Sequence, residues 1–282
     1  MKLEQGISAM NEDIIRQIKS LPPMPDAVRQ IQLICNNPSS SVADLIKVVE
    51  KDPPLTANLL KAANSPLYGF SREITTIAQA VTLFGMATVK GFAIASAVKS
   101  SFKMDLSPYG LTAADFIRIS EEQSGFMVRW FGRVNRGMLD ILAPASFLLE
   151  IGVVVLSEQA KQTGRSRELH ERLLGRGETP VSEVEKEFFG MSSFEVAALL
   201  FEHWNFEEMM TSAIAHIQNP AQAPEKTRPY AYPLALVRMI ISLYEAYTPD
   251  RLEAARGLLA EAGLKEEGFM EAIPLERRPK SS

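Results

Sequence analysis

Apolar residues recur along this chain at helical spacing. Ile14, Ile18 and Leu21 fall at i, i+4 and i+7, and Val42, Leu45, Ile46 and Val49 at i, i+3, i+4 and i+7. Leu252, Ala255, Leu259 and Ala262 repeat the pattern near the far end. Such spacing gathers apolar groups on one face, which must then pack against other helices. Start signals agree with the periodicity. Asp52-Pro53, Thr179-Pro180 and Thr248-Pro249 each pair an N-cap oxygen with a proline at the first helical position. Ser41 to Asp44, Thr76 to Gln79 and Thr112 to Asp115 predict reciprocal capping boxes. Between helices stand Leu21-Pro22-Pro23-Met24-Pro25, Ser65-Pro66-Leu67-Tyr68-Gly69 and Ser107-Pro108-Tyr109-Gly110. Val153-Val154-Val155 alone has strand flavour, but it follows an apolar helical stretch and reads as buried helix. The best internal seam is 103–111, and the charged residues Glu276 to Ser282 predict a frayed end.

Composition narrows the class. A chain of 282 residues makes one large domain or two modest ones, and 46% hydrophobic with 23% charged residues is an ordinary globular balance. Cys35, the sole cysteine, excludes an intramolecular disulfide and a cysteine-only zinc site. Three histidines, His170, His203 and His216, leave little material for histidine-rich metal chemistry. A net charge of −4 and a pI near 5.6 advertise neither nucleic acid nor an anionic membrane as partner. Residues 1–15 carry Glu4, Glu12 and Asp13 and lack the apolar core of a signal peptide. The most apolar stretch, Phe147 to Leu156, reads as too short to span a bilayer. The expected location is the cytoplasm.

Several ordered motifs then carry a resemblance. Leu21-Pro22-Pro23-Met24-Pro25, Asp52-Pro53-Pro54-Leu55-Thr56, Leu60 with Asn64-Ser65 and Tyr68-Gly69, and Ala80 with Leu83-Phe84-Gly85 come first. Phe147-Leu148-Leu149-Glu150-Ile151-Gly152, Phe189-Gly190, Glu195-Val196 and Trp204 follow. Together, over residues 14–246, they resemble the HDOD domain, a bacterial signalling module related to the HD phosphohydrolases. The resemblance implies an all-α fold, a helical N-terminal lobe over about 1–105 packed on a degenerate HD-like lobe over about 106–246. Residues 247–282 are then a helical extension and tail.

The same resemblance tests for a hydrolase centre. HD hydrolases hold metal with histidines and aspartates, because a phosphoester needs its charge neutralised and a bound water made nucleophilic. The positions expected to supply ligands read here as Ile119, Leu149, Glu150, Ser193, Ile217, Gln218 and Ser242, with His216 one residue out of register. Isoleucine and leucine cannot ligate a cation, and serine and glutamine are poor substitutes. No metal, cofactor or catalytic residue is therefore expected.

Other residues are read beside their plainer alternatives. Glu150, among Phe147, Leu148, Leu149 and Ile151, is either a retained anchor for a cationic group or a carboxylate satisfied by a backbone N–H or an arginine; the second is preferred. Asn64, Ser65, Tyr68 and Phe70 are candidates for a partner-binding loop, or for residues that lock that loop onto the N-terminal lobe, with Asn64 able to turn left-handed. His203-Trp204 reads as a helix end sealed by an indole, and His170 as solvated surface. Gly175-Arg176-Gly177 is no phosphate loop, and Met209-Met210 suits adaptable packing. The expectation is a non-catalytic signal-transduction protein that works by binding other signalling proteins, with self-association left open and no nucleic-acid or membrane partner. The alternatives are a metal-dependent phosphohydrolase, acting for instance on a cyclic dinucleotide, and a small-nucleotide sensor reusing the emptied pocket. The first lacks the Gly-Tyr-Pro signature of some relatives.

Overall fold

Helix starts fall where short polar side chains reach back to unpaired backbone N–H groups. Ser41, Thr76 and Thr112 close the predicted boxes with Asp44, Gln79 and Asp115, and Asp52 and Thr248 cap helices with proline in the first turn. Ser192 and Glu195 form a further box. Thr179 does not cap. Its N–H donates to the Arg176 carbonyl and its own carbonyl accepts from the Arg176 guanidinium at 2.7 Å, so it belongs to a preceding turn and the helix starts at Val181, after Pro180.

The structure is a computed structural model describing residues 2–21, 26–37, 39–64, 73–101 and 104–274, and it is all-α, with no strand among the described residues. After α1 (Lys2–Ser20), a first lobe is built by α2 (Asp26–Asn36), α3 (Val42–Glu50), α4 (Pro53–Ala63), α5 (Ile77–Phe84) and α6 (Met86–Ser101). Its core joins Ile31, Leu45, Val49, Leu59, Val81 and Phe92. Val42, at the start of its helix, stays exposed despite its place in the apolar pattern.

The second lobe begins with a 3-10 turn at Ser107–Tyr109 and continues through α7 (Ala113–Val134), α8 (Leu139–Phe147), α9 (Ile151–Gln162) and α10 (Ser166–Leu174). It then adds α11 (Val181–Phe189), α12 (Ser193–His203), α13 (Glu208–Ala215), α14 (Arg228–Ile240), α15 (Pro249–Glu261) and α16 (Glu266–Ala272). Val153, Val154 and Val155 are buried in α9, as the helical reading requires. The apolar run there is longer than the ten residues first picked out. Arg136–Gln162 has the length and composition to cross a bilayer, and 83% of its most apolar window is buried inside the fold.

Two features redraw the lobes. Ile14 and Ile18 of α1 belong to the core of the second lobe, where α1 packs on α9, α11 and α12, and the His203 ring meets the Leu21 carbonyl at 3.2 Å. At the other end Leu252, Ala255, Leu259 and Phe269 share that same core, with Phe269 4.9 Å from the Trp130 ring. The lobes meet where α6 lies on α8. Gly91 makes this possible, since a Cβ there would stand 3.1 Å from the Pro144 nitrogen. Beside it Lys90, 2% exposed, reaches across to Glu207 at 2.5 Å.

Candidate functional site

The positions singled out for a hydrolase centre all lie in the second lobe, two of them on the turn between α8 and α9. That turn carries Leu149 and Glu150, and it lies against the start of α12 because residue 152 is glycine. A Cβ on Gly152 would sit 1.8 Å from the Ser193 carbonyl oxygen. Leu149, Ile119 and Ile217 are all buried apolar side chains. Ser193 gives its backbone N–H to Glu185, and Gln218 donates to the Ser182 hydroxyl at 2.6 Å. Ser242 accepts from the Tyr244 and Glu245 N–H groups at 3.3 Å, a local turn. His216 ends α13, where its Nδ1 donates to the Ser212 carbonyl at 2.8 Å.

Glu150 is 1% exposed and is answered from several sides. Gln123 of α7 donates to it at 3.3 Å and to the Ile241 carbonyl at 2.8 Å. The Arg238 guanidinium stands 3.9 Å away and 4.5 Å over the Phe194 ring. Burial pushes the Glu150 carboxyl above its ordinary range, while Arg238, Gln123, the Leu243 N–H and Arg251 pull it back. The Arg238 guanidinium is an arginine partner of the kind the structural reading of Glu150 calls for.

A second buried carboxylate, Glu185, was not anticipated. It is fully buried, accepts from Tyr109 at 3.1 Å and from the Ser193 N–H at 2.7 Å, and burial lifts it to about 7. Nearby Glu150 pushes in the same direction. Tyr244 packs 5.6 Å from the Tyr109 ring, and burial holds both phenols well above their ordinary range. The signal was present in the sequence. Val181, Val184 and Phe188 mark the buried stripe of α11, and Glu185 falls at i+4 on that stripe.

These residues do not fit a catalytic cation. A hard divalent ion wants several oxygen or nitrogen ligands and an open position for water. Here three of the positions are apolar and Glu150 is engaged by an amide and a guanidinium, and among the described residues no three His, Cys, Asp or Glu side chains converge as a metal site.

The candidate loop divides. Asn64 ends α4 with φ −86° and ψ 4°, so it does not turn left-handed as expected. Its side chain stops the helix instead, donating to the Leu60 and Ile74 carbonyls and accepting from the Ile74 N–H at 2.8 Å. Ser65, Tyr68 and Phe70 lie outside the described residues. His170 is not solvated surface. It packs half-buried on the turn after Tyr109, where a Cβ on Gly110 would meet its ring at 2.8 Å. Trp204 seals the end of α12 as predicted, with Asn205 in the left-handed region at φ 54°.

The HDOD domain family matches residues 21–220. The chain belongs to that family. Its fold is shared with a virulence factor from Campylobacter jejuni, at TM-score 0.63 and 29% identity over 96% of this chain and 98% of that one. It is shared too with a Shewanella amazonensis protein provisionally named a phosphohydrolase, at TM-score 0.66 and 22% identity over 92% of each chain. An uncharacterized protein of Treponema pallidum is 21% identical over 88% of this chain, and the chain spans about half the length of that relative, 47%.

Proposed function

We propose that this HDOD protein is a non-catalytic, cytoplasmic signal-transduction protein that acts through contacts with other signalling proteins. One observation carries the reading: Ile119, Leu149 and Ile217 stand where ligands belong, and the remaining anion, Glu150, already has Gln123 and Arg238 for partners. A resident guanidinium supplies positive charge beside the Glu150 carboxylate, as a metal would. The burial of Leu149 and Ile119 likewise speaks against a nucleotide sensor there, since neither side chain is open to a ligand. The phosphohydrolase reading rests on fold alone, and fold does not fix function.

Elemental analysis of protein purified without chelator tests this, together with assays on cyclic dinucleotides in added manganese or magnesium. The expected result is no stoichiometric metal and no turnover. One metal per chain, lost with turnover in His216→Ala or Glu150→Gln, would overturn the non-enzyme reading.

A further inference from the structure

An open groove of about 190 Å³ lies where α5 of the first lobe meets the C-terminal half of α7. Phe84, Val128 and Leu139 give it an apolar lining, and Leu83 stands beside them 45% exposed. Gly132 follows Val128 by four residues on α7 and lines the same groove. Unlike Gly152, it is not required by a close approach, since a Cβ there would meet nothing within 4 Å. Its missing side chain is what leaves the groove open. The charge along the lining has one sign: Arg129 and Arg136 belong to it, and no acidic side chain does. Arg129 is held by hydrogen bonds to the Ala272 carbonyl at 3.1 and 3.3 Å. Arg136 is exposed and reaches the Leu83 carbonyl at 3.5 Å, and among the described residues no carboxylate pairs with it. Glu271 of α16 is engaged by the neighbouring Arg133.

We infer that this groove docks an acidic segment of a partner protein, with an aliphatic anchor such as leucine seated against Phe84 and Val128 and a neighbouring carboxylate on Arg136. Volume and chemistry argue together. Small-molecule pockets run to roughly 300–1,000 Å³, so the smaller space here suits anchoring side chains carried by a larger partner. An apolar centre with charge at its rim is the usual build of a protein interface. A guanidinium at that rim takes a carboxylate in a charge-assisted, two-pronged contact. A nucleic-acid backbone would instead need cations along the whole groove and would leave Phe84, Val128 and Leu139 unused. The inference rests on the protein-binding role proposed above, and adds where the partner sits and what it presents. Because α5 and α7 belong to different lobes, that partner would touch both at once.

The probe is the blocked peptide acetyl-Asp-Asp-Leu-Leu-Asp-Asp-amide, titrated into the full chain while the methyl resonances of Leu83, Val128 and Leu139 are followed by NMR. Saturable shifts at those methyls are expected. Gly132→Leu should abolish them by filling the groove, and it should keep the fold, since its Cβ meets open space and leucine favours a helix over glycine. Arg136→Glu should weaken binding by about fivefold or more. Salt raised from about 50 to about 500 mM should weaken the unaltered chain more than that variant. Exchanging the acids of the peptide for lysine, or its leucines for serine, should remove binding. No shift at these methyls, or shifts indifferent to both substitutions, would overturn the inference. So would tighter binding of a single-stranded oligonucleotide at the same methyls, or shifts that track protein concentration without peptide, which would give the groove to a second copy of the chain. Peptide binding with shifts elsewhere would overturn this groove and leave the protein-binding role standing, whereas metal-dependent turnover would overturn both together. If Gly132→Leu misfolds, Arg136→Glu and the exchanged peptides decide.

Discussion

Around residues 150 and 185 the second lobe takes two carboxylates into its core and closes over them, whereas at Phe92, Phe116 and Phe147 the seam between the lobes stays open. The first place includes positions where the family resemblance expects metal ligands, and there Glu150 is engaged by Gln123 and Arg238. The second has no chemistry to inherit and offers space. The physical difference is one of packing tolerance. The closed region has α9 and α12 in backbone contact at Gly152 and Ser193, and the seam combines a looser backbone contact, Gly91 on Pro144, with side chains that leave a gap beside it.

The sharpest way to break this contrast is to add one methyl group in each region. At Gly152 a Cβ would fall 1.8 Å from the Ser193 carbonyl, a backbone atom that cannot swing aside, so α9 and α12 must separate. Gly152→Ala is expected to cost about 3 kcal/mol or more. At Gly91 the nearest atom is the Pro144 nitrogen at 3.1 Å, and a shift of a few tenths of an ångström relieves it. There the overpacking is offset by the better helix propensity of alanine, and the net change should stay within about 1 kcal/mol. Urea denaturation of both variants measures the difference. Equal losses would mean that the seam is as tightly committed as the second lobe's core.

Next in size is the pH dependence that the buried carboxylates impose. Glu185 rises from an ordinary 4.5 to about 7 in the folded chain because burial disfavours its charged form. Between those values the folded state holds a proton that the unfolded state has released. Stability should therefore fall as pH rises from about 4.5 to about 7, by at most about 3 kcal/mol from this group. Glu150, raised for the same reason, adds to the slope. Asp44 and Asp115, lowered by their capping partners, act in the opposite sense and only at more acid pH. Glu185→Gln imitates the protonated carboxyl and should flatten the profile between pH 5 and pH 8 in chemical denaturation. A slope of the same steepness in the variant would assign the titration elsewhere.

What could be read in advance follows the range of each signal. Capping boxes at Ser41, Thr76 and Thr112 were legible because three residues contain the whole interaction. The buried state of Glu150 was legible from its apolar neighbours, and Glu185 was legible in principle from the stripe of α11. Arg238 was not, since only the fold brings it 88 positions back to Glu150. Nor does an amphipathic stripe say which surface it will cover. Ile14 and Ile18 announced that α1 must pack, and their destination in the second lobe depended on α9, α11 and α12. At Asn64 the residue type was informative and the mechanism was misread: a side chain reaching Ile74 does the work expected of a left-handed backbone.

The smallest of these effects concerns that asparagine, the first lobe's counterpart to the closed core. Asn64 and Ile74 are joined by a matched pair of bonds, the amide donating to the Ile74 carbonyl and accepting from its N–H, each at 2.8 Å. A third bond, to the Leu60 carbonyl at 2.9 Å, fixes the amide to the end of α4. The side chain therefore stops a helix and closes the segment between residues 64 and 74 at one point. Asn64→Ala removes all three bonds and leaves backbone groups of the buried Ile74 without those partners, at an expected cost of about 1–2 kcal/mol. Asn64→Asp keeps the acceptor for the Ile74 N–H but turns a carboxylate toward two carbonyls, so it should rescue little of the loss. Chemical denaturation reads both variants. A midpoint that does not move, together with lost binding to a partner protein, would assign Asn64 to an interface, whereas a lowered midpoint with binding retained assigns it to holding the first lobe's loop in place.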